Sequence, residues 1–171
     1  IKKNINLYNY ALSENNEKKI LKVPIRNSKS DKSNYEEYYK MGLATIHEKN
    51  TFDNFDEFEI NCKKLDEFKF ENKISFIKID VEGHEMKAIL GSMKTIKRHK
   101  PFLYIEILRE KWNKSIDSSD LCELLKNLNY DIFQYDGNSM VKVDKKFNTK
   151  CENFFVCTKQ LTLATCFLNF A

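Results

Sequence analysis

The stretch FIKIDVEGHEM, residues 76–86, joins an apolar run to a cluster of charged side chains. Apolar residues are almost continuous over residues 74–81, which is typical of a strand that is buried on both faces of a parallel sheet. Three acids and one histidine then surround Gly83, and they are Asp80, Glu82, Glu85 and His84. The pattern therefore predicts a buried strand that ends in a polar turn.

A helix and a second strand are predicted to follow this turn. Apolar residues recur at helical spacing, at Met86, Ile89, Leu90, Met93 and Ile96. Glu85 in the first turn and the basic residues before Pro101 suit the dipole of one helix that stops at the proline. The segment PFLYIEIL, residues 101–108, has the apolar pattern of another strand. Strand, helix and strand in succession indicate a parallel βαβ unit.

Further strands and one more helix are predicted from the rest of the chain. Strand patterns occur at residues 5–12, 18–25, 58–62, 130–135 and 153–158. A second helix is predicted because four leucines share one face, at Leu121, Leu124, Leu125 and Leu128. The last two strands have no helix between them, which predicts an antiparallel pair at one edge. The sequence thus predicts an α/β fold with a mostly parallel sheet and an antiparallel edge pair.

Composition and charge narrow the classes of function. The chain has 171 residues, which is enough for one domain with a hydrophobic core. Its net charge of +4 is spread along the chain, so nucleic acid is not an expected partner. Five cysteines without a CxxC pair argue against a zinc ribbon and indicate small apolar side chains in a reducing compartment. Because no signal-peptide pattern and no apolar run of about 20 residues is present, we expect a cytoplasmic protein without a membrane span.

The polar turn allows three interpretations from chemistry alone. In open α/β sheets, ligands bind beyond the carboxyl ends of the strands, where this turn and Glu106 are expected to lie. One interpretation is that Glu82 and Glu85 cap the helix on a solvated surface. A second is a metal site, although no HxxxH or HExxH spacing is present. The third is acid–base or cofactor-orienting chemistry, in which His84 at a helix N-terminus favours its neutral, proton-accepting form.

Four short motifs stand in order around the polar turn: KIDVEGHE at residues 78–85, Leu90 with Gly91, Lys100 with Pro101, and Glu106. In this order they resemble the FkbM family of S-adenosylmethionine-dependent methyltransferases, whose pattern is K-I-D-V-E-G-x-E, L-x-G, R/K-P and a strand that ends in E. In this chain the leucine and the glycine of the second motif are adjacent. Upstream, NINLYNYALSE and CKKLDEF are similar to the family's N-V-x-x-x-N-x-A-L-S and T-L-D-E-L segments. The resemblance covers residues 4–159 and leaves residues 160–171 as a C-terminal tail.

The resemblance implies a Rossmann-like methyltransferase fold with the strand order 3-2-1-4-5-7-6. It implies S-adenosylmethionine as the cofactor and a hydroxyl of a sugar or another small molecule as the methyl acceptor. Asn9, Ala11 and Asp80 are implied to contact the cofactor. Asn9 would lie near the adenine, and Asp80 would lie near the methionine portion.

The resemblance also implies roles in the methyl transfer. His84 is the implied base that takes the hydroxyl proton, and Asp80 and Glu82 complete the catalytic set. Glu85 and Glu106 are implied to orient the substrate. This chemistry requires in-line positioning of two reactants and a base, and it requires no metal.

The sequence departs from the family in its glycines. It has four, and none forms the G-x-G of the family's D-x-G-A-N-x-G cofactor loop. We expect that loop upstream of Asn4, so that the sheet lacks strands 1 and 2, as a truncated gene model or a split or decaying gene would explain. The 171 residues alone are then expected to bind S-adenosylmethionine poorly.

We also consider two alternative functions and predict which loop selects the methyl acceptor. The alternative to an enzyme is a truncated, non-catalytic remnant or binding subunit of a methyltransferase. A metal-dependent hydrolase is a third hypothesis, which depends on the acid and histidine cluster alone. The loop at residues 27–54 is expected to select the acceptor.

Overall fold

A computed structural model describes residues 5–24, 44–46, 54–107, 118–144 and 153–159. These residues form two sheets, one of three strands and one of five. The strands are β1 Ala11–Leu12, β2 Glu17–Pro24, β3 Phe55–Lys63, β4 Phe76–Ile79, β5 Phe102–Glu106, β6 Tyr130–Tyr135, β7 Met140–Lys142 and β8 Asn153–Thr158. The helices are α1 Glu85–Leu90, α2 Met93–His99 and α3 Ser118–Asn127, with a 3₁₀ turn at Leu65–Glu67. The predicted second helix and the last two strands are thereby confirmed.

The five-stranded sheet has the order β4-β5-β8-β6-β7, and its pairings are mostly antiparallel. Among its strands, only β4 and β5 pair in parallel. Strand β8 pairs antiparallel with β5 and β6, and β7 pairs antiparallel with β6. The mixed α/β class is confirmed, but the described strands do not pair in the mostly parallel way that was predicted. The reason is that β8 returns between β5 and β6, so the predicted antiparallel pair lies inside the sheet and β7 forms the edge.

Strand β4 is shorter and more exposed than its apolar sequence predicts. It covers Phe76–Ile79, and of its side chains only Ile79 is buried, whereas Phe76 is 43% exposed. The prediction of a strand buried on both faces is therefore wrong. The physical reason is that β4 is an edge strand: in the described part of the chain, β5 is its neighbour on one side and no strand pairs with the other.

The predicted single helix is two short helices, α1 and α2, which are interrupted at Gly91 and Ser92. The interruption coincides with a close backbone approach, because a Cβ added to Gly91 would lie 2.0 Å from the carbonyl oxygen of Ser13. The apolar spacing nevertheless predicted the buried face correctly, since Ile89 and Ile96 are both fully buried.

The three-stranded sheet differs from its prediction at two places. Of the strand predicted at residues 5–12, only β1 is present, while residues 5–10 form no strand and are exposed. Leu7 is 92% exposed. On the face of β3 that was predicted to be buried, Cys62 is buried but Phe58 is 52% exposed. Alternation specifies which side chains share a face, but it does not provide a second layer to cover that face.

The core combines side chains of the five-stranded sheet with side chains of all three helices. Its fully buried apolar members include Ile89, Ile96, Leu103, Ile105, Leu121, Leu125, Ile132, Phe154 and Val156. Cys122 and Cys157 are buried cysteines that form no disulfide, as expected of small apolar side chains. Within the described ranges, no helix has the length and apolar character needed to cross a bilayer.

The carboxylate of Asp66, which lies outside α2, binds the N-terminus of this helix. Its carboxylate oxygens accept hydrogen bonds from the backbone N–H groups of Lys94 at 2.9 Å and Thr95 at 2.7 Å. Because first-turn N–H groups have no partner inside a helix, we expect Asp66→Ala to lower the free energy of unfolding by about 1–2 kcal/mol. Urea denaturation measures this change. The control Glu71→Ala, at an exposed position, should have an effect of less than about 0.5 kcal/mol, and equal effects would contradict the role of Asp66.

Candidate active site

The polar turn lies where the two parallel strands end. Because Ile79 of β4 is paired with Ile105 of β5, the residues that follow them, Asp80 and Glu106, reach the same end of the sheet. This register confirms the expectation that the two strands are neighbours. Asp80 is exposed and Glu106 is half-buried, so a ligand at this end of the sheet can reach both carboxylates.

Two consecutive residues with positive φ shape the turn. The φ angle is 48° at Glu82 and 95° at Gly83. Glycine adopts this conformation without steric cost but glutamate does not, so other contacts must hold the turn. Thr45 Oγ1 donates a 2.7 Å hydrogen bond to the carbonyl oxygen of Glu82. The N–H group of Gly83 donates a 2.9 Å hydrogen bond to Oε1 of Glu85, so the turn is fixed on both sides.

Glu85 is a buried acid with a strongly raised pKa. Its side chain is fully buried, and its Oε2 atom has no hydrogen-bond partner among the described residues. The pKa of Glu85 is raised to about 7, mainly by burial and also by the charges of Asp80 and Glu106, while the hydrogen bond from Gly83 lowers it. The structure therefore brings three of the predicted acids into one electrostatic cluster. Perturbed carboxyl groups of this kind are frequent at functional sites.

The exposed side of this acid cluster already attracts a cation. Lys78 Nζ lies 2.7 Å from Asp80 Oδ2. The pKa of Lys78 is raised by this hydrogen bond, by the charge of Asp80 and, to a smaller extent, by the charge of Glu106. The electrostatics of the turn therefore favour a positively charged group beside Asp80 and Glu106.

His84 is held by residues that the sequence analysis did not name. It lies at the N-cap position of α1 and is 5% exposed. Its Nε2 atom lies 3.2 Å from Ser13 Oγ, and Ser13 Oγ lies 3.3 Å from Glu17 Oε1. Sequence reasoning missed Ser13 and Glu17 because the contact between Ser13 and His84 spans 71 positions. The available signal was that Ser13 belongs to the segment NINLYNYALSE.

The two upstream residues implied to contact a cofactor lie just before Ser13. Asn9 is exposed within residues 5–10, and Ala11 is half-buried in β1. The hydrogen bond from this segment to the polar turn is made by Ser13, not by either of them. The roles of Asn9 and Ala11 towards a cofactor stay predictions.

Other possible sites lie apart from the turn. In the parts of the chain that the structure describes, no three His, Cys, Asp or Glu side chains are grouped as metal ligands. A groove of about 390 Å³ is lined by residues of the 3₁₀ turn, the segment after it and α2, among them Phe68, Phe70, Lys94, Arg98 and His99. None of the predicted site residues lines this groove.

Comparisons with known proteins bear on the family. The model of the methyltransferase FkbM domain matches residues 1–132. No curated protein matches this chain. A solved structure, the methyltransferase FkbM from Methylobacillus flagellatus KT, is similar with 21% sequence identity and a TM-score of 0.36 over 58% of this chain. The chain spans 23% of the length of that protein. Because the domain match covers more than half of its residues, this chain belongs to the methyltransferase FkbM domain family.

Proposed function

We propose that this protein is an S-adenosylmethionine-dependent methyltransferase that methylates a hydroxyl oxygen of a sugar or another small molecule. The observation that carries the proposal is the cluster of Asp80, Glu85 and Glu106 at the shared end of β4 and β5, in a chain of the methyltransferase FkbM domain family. The strand order β4-β5-β8-β6 also agrees with the segment 4-5-7-6 of the Rossmann-like order that the resemblance implies.

The acid cluster fits the positively charged end of this cofactor. The sulfonium is a cation, Glu85 Oε2 is a buried acceptor with no partner among the described residues, and Asp80 already attracts the ammonium group of Lys78. We expect Asp80 to hold the charged end of the cofactor, and Asn9 and Ala11 to lie on its adenosine side. When bound, S-adenosylmethionine supplies the methyl group.

The residues of the turn position the acceptor and take its proton. In this proposal His84 accepts the proton of the hydroxyl group, with Asp80 and Glu82 beside it, while Glu85 and Glu106 orient the substrate. With a pKa of about 7, the Glu85 carboxyl group exists in both its neutral and its ionised form at neutral pH, so it can donate as well as accept a hydrogen bond. Because methyl transfer depends mainly on alignment of the two reactants, the hydrogen bonds that hold the turn would contribute directly to the rate.

Methyl transfer by the purified full-length protein tests the proposal. With labelled S-adenosylmethionine and a panel of sugars and small hydroxylated molecules, we expect a labelled product. Asp80→Asn and His84→Ala should each lower kcat/KM by about 10²–10⁴-fold, the usual effect of lost acid–base catalysis. Asp131→Asn is the matched control, because Asp131 pairs with Lys142 at 2.9 Å across β6 and β7, away from the turn, and it should keep nearly wild-type activity.

Three results would overturn the proposal or its assignments. Wild-type turnover in both Asp80→Asn and His84→Ala would refute the assigned roles. Cofactor binding without turnover of any acceptor would favour the non-catalytic binding subunit. A hydrolytic activity that a chelator abolishes would favour the metal-dependent hydrolase.

A further inference from the structure

A hydrogen-bonded chain of three side chains connects the three-stranded sheet to the polar turn. Ser13, which follows β1, is fully buried, and its Oγ atom lies 3.3 Å from Glu17 Oε1 of β2 and 3.2 Å from His84 Nε2. A carboxylate, a hydroxyl and an imidazole therefore follow one another in line. The proposed function uses only the last of these groups, so the first two need their own explanation.

The donors and acceptors of this chain can be assigned from elementary chemistry. A hydroxyl group has one hydrogen to donate, and an ionised carboxylate can only accept. Lys19 Nζ lies 3.8 Å from the same Glu17 oxygen, so this oxygen faces a positive charge as well as the hydroxyl group of Ser13. The hydrogen of Ser13 Oγ must therefore point to Glu17, and the oxygen of Ser13 must accept the hydrogen bond that His84 Nε2 donates.

We infer that Glu17 and Ser13 fix His84 as the Nε2–H tautomer, and that Ser13 is a positioning residue for this histidine. In a neutral imidazole one nitrogen carries the hydrogen and the other carries the lone pair. Donation from Nε2 therefore makes Nδ1 the nitrogen that can accept a proton. The use of Nδ1 as the base rests on the proposed function, whereas the tautomer itself does not.

The backbone holds Ser13 firmly enough for this task. Its N–H group donates a 3.0 Å hydrogen bond to the carbonyl oxygen of Lys63, which ends β3. Its own carbonyl oxygen lies against Gly91, so closely that a Cβ there would be 2.0 Å away. The backbone of Ser13 is thus held between the three-stranded sheet and the break between α1 and α2, and it cannot shift away from His84 without disturbing both.

The tautomer can be measured without any substrate. Long-range ¹⁵N NMR of the imidazole ring distinguishes the protonated nitrogen from the lone-pair nitrogen, and the His84 signals are assigned by their loss in His84→Gln. At about pH 8.5, well above the ordinary histidine pKa of about 6.5, we expect the Nε2–H form of the wild-type protein to exceed the Nδ1–H form by about tenfold or more, because hydrogen-bond chains that end on a charge are the strong ones.

Glu17→Gln tests the origin of the preference. An amide can donate as well as accept, so the hydroxyl of Ser13 becomes able to donate to His84, and the ratio of the two tautomers should fall to about threefold or less. Glu59→Gln is the matched control, since it makes the same change at an exposed ion pair with Lys18 on the same sheet, and it should leave the ratio unchanged. In turnover assays, Glu17→Gln should lower kcat while KM stays near the wild-type value.

The outcomes separate this inference from the proposed function. A predominant Nδ1–H form in the wild-type protein, which requires no variant to fold, would overturn the inference. So would an unchanged tautomer ratio in folded Glu17→Gln. Either result leaves the proposed function intact if His84→Ala abolishes methyl transfer. If the Nε2–H form predominates but His84→Ala retains turnover, the proposed base is wrong while the tautomer assignment stands.

Discussion

Replacing Gly91 with alanine is expected to lower the free energy of unfolding by about 3 kcal/mol or more. The added Cβ would lie 2.0 Å from the carbonyl oxygen and 2.8 Å from the carbonyl carbon of Ser13. Both atoms belong to the backbone, so no side-chain rotation can relieve the clash, and β1 must move away from the helices. The φ angle of −72° at Gly91 is one that alanine adopts readily, so the cost is steric and not conformational.

Gly137→Ala is the matched control for this prediction. Gly137 has a φ of 104°, and a Cβ there would meet no atom within 4 Å, so alanine would add backbone strain of about 1–2 kcal/mol without a clash. Chemical denaturation of the two variants gives both values. A smaller decrease in the free energy of unfolding for Gly91→Ala than for Gly137→Ala would show that the approach of Ser13 to Gly91 is not tight. Because Ser13 contacts His84, we also expect Gly91→Ala to lower activity more than Gly137→Ala does.

Glu85 is expected to make the protein less stable as pH rises from about 4.5 to 7. Its pKa is about 7 in the folded protein against an ordinary 4.5, so the folded state holds this proton more tightly than the unfolded state does. Between these two values the unfolded state binds fewer protons, and linkage then requires the free energy of unfolding to fall with rising pH. Since one pH unit corresponds to about 1.4 kcal/mol, the loss from this group reaches about 3 kcal/mol above pH 7 and vanishes below about pH 4.5.

Glu85→Gln should remove this contribution. Glutamine has nearly the same shape, can still accept the hydrogen bond from Gly83 and carries no charge at any pH. We therefore expect the variant to unfold with a free energy within about 1 kcal/mol of the wild-type value at about pH 5, and to be more stable by about 1–3 kcal/mol at about pH 8. Urea denaturation of both proteins at the two pH values measures the difference between their free energies of unfolding. The titration of the other acids affects both proteins equally and cancels in this difference.

Glu59→Gln serves as the control for the pH experiment as well. Glu59 is an exposed acid on β3, and removal of its charge should change stability by a similar small amount at both pH values. If the free energy of unfolding changed with pH in the same way in wild type and in Glu85→Gln, Glu85 would not be desolvated as the structure places it. Greater stability together with lost methyl transfer in the variant would instead be typical of an active-site group that is retained at the expense of stability.

Local pattern alone was sufficient to predict the strand, the polar turn and the start of the helix over residues 76–90. Each of these depends on neighbours within a few positions: an apolar run, a glycine with positive φ, and residues at helical spacing. The position of Glu106 at the end of the next strand was also predictable, because the βαβ pattern brings consecutive parallel strands together. The family resemblance rests on the same local motifs, and the domain match confirms it.

Packing between distant segments decided the rest. The exposure of Phe76 depends on which strands flank β4, and the full burial of Glu85 depends on which residues cover the turn. The spacing of apolar residues along the sequence specifies neither. The pairing of β7 with the outer side of β6, which leaves the predicted antiparallel pair of β6 and β8 inside the sheet, depends on packing in the same way. The hydrogen bond between Ser13 and His84 and the close approach at Gly91 join parts of the chain more than 70 positions apart. Periodicity reports which face of an element is apolar, whereas the partner of that face is chosen only when the whole chain packs.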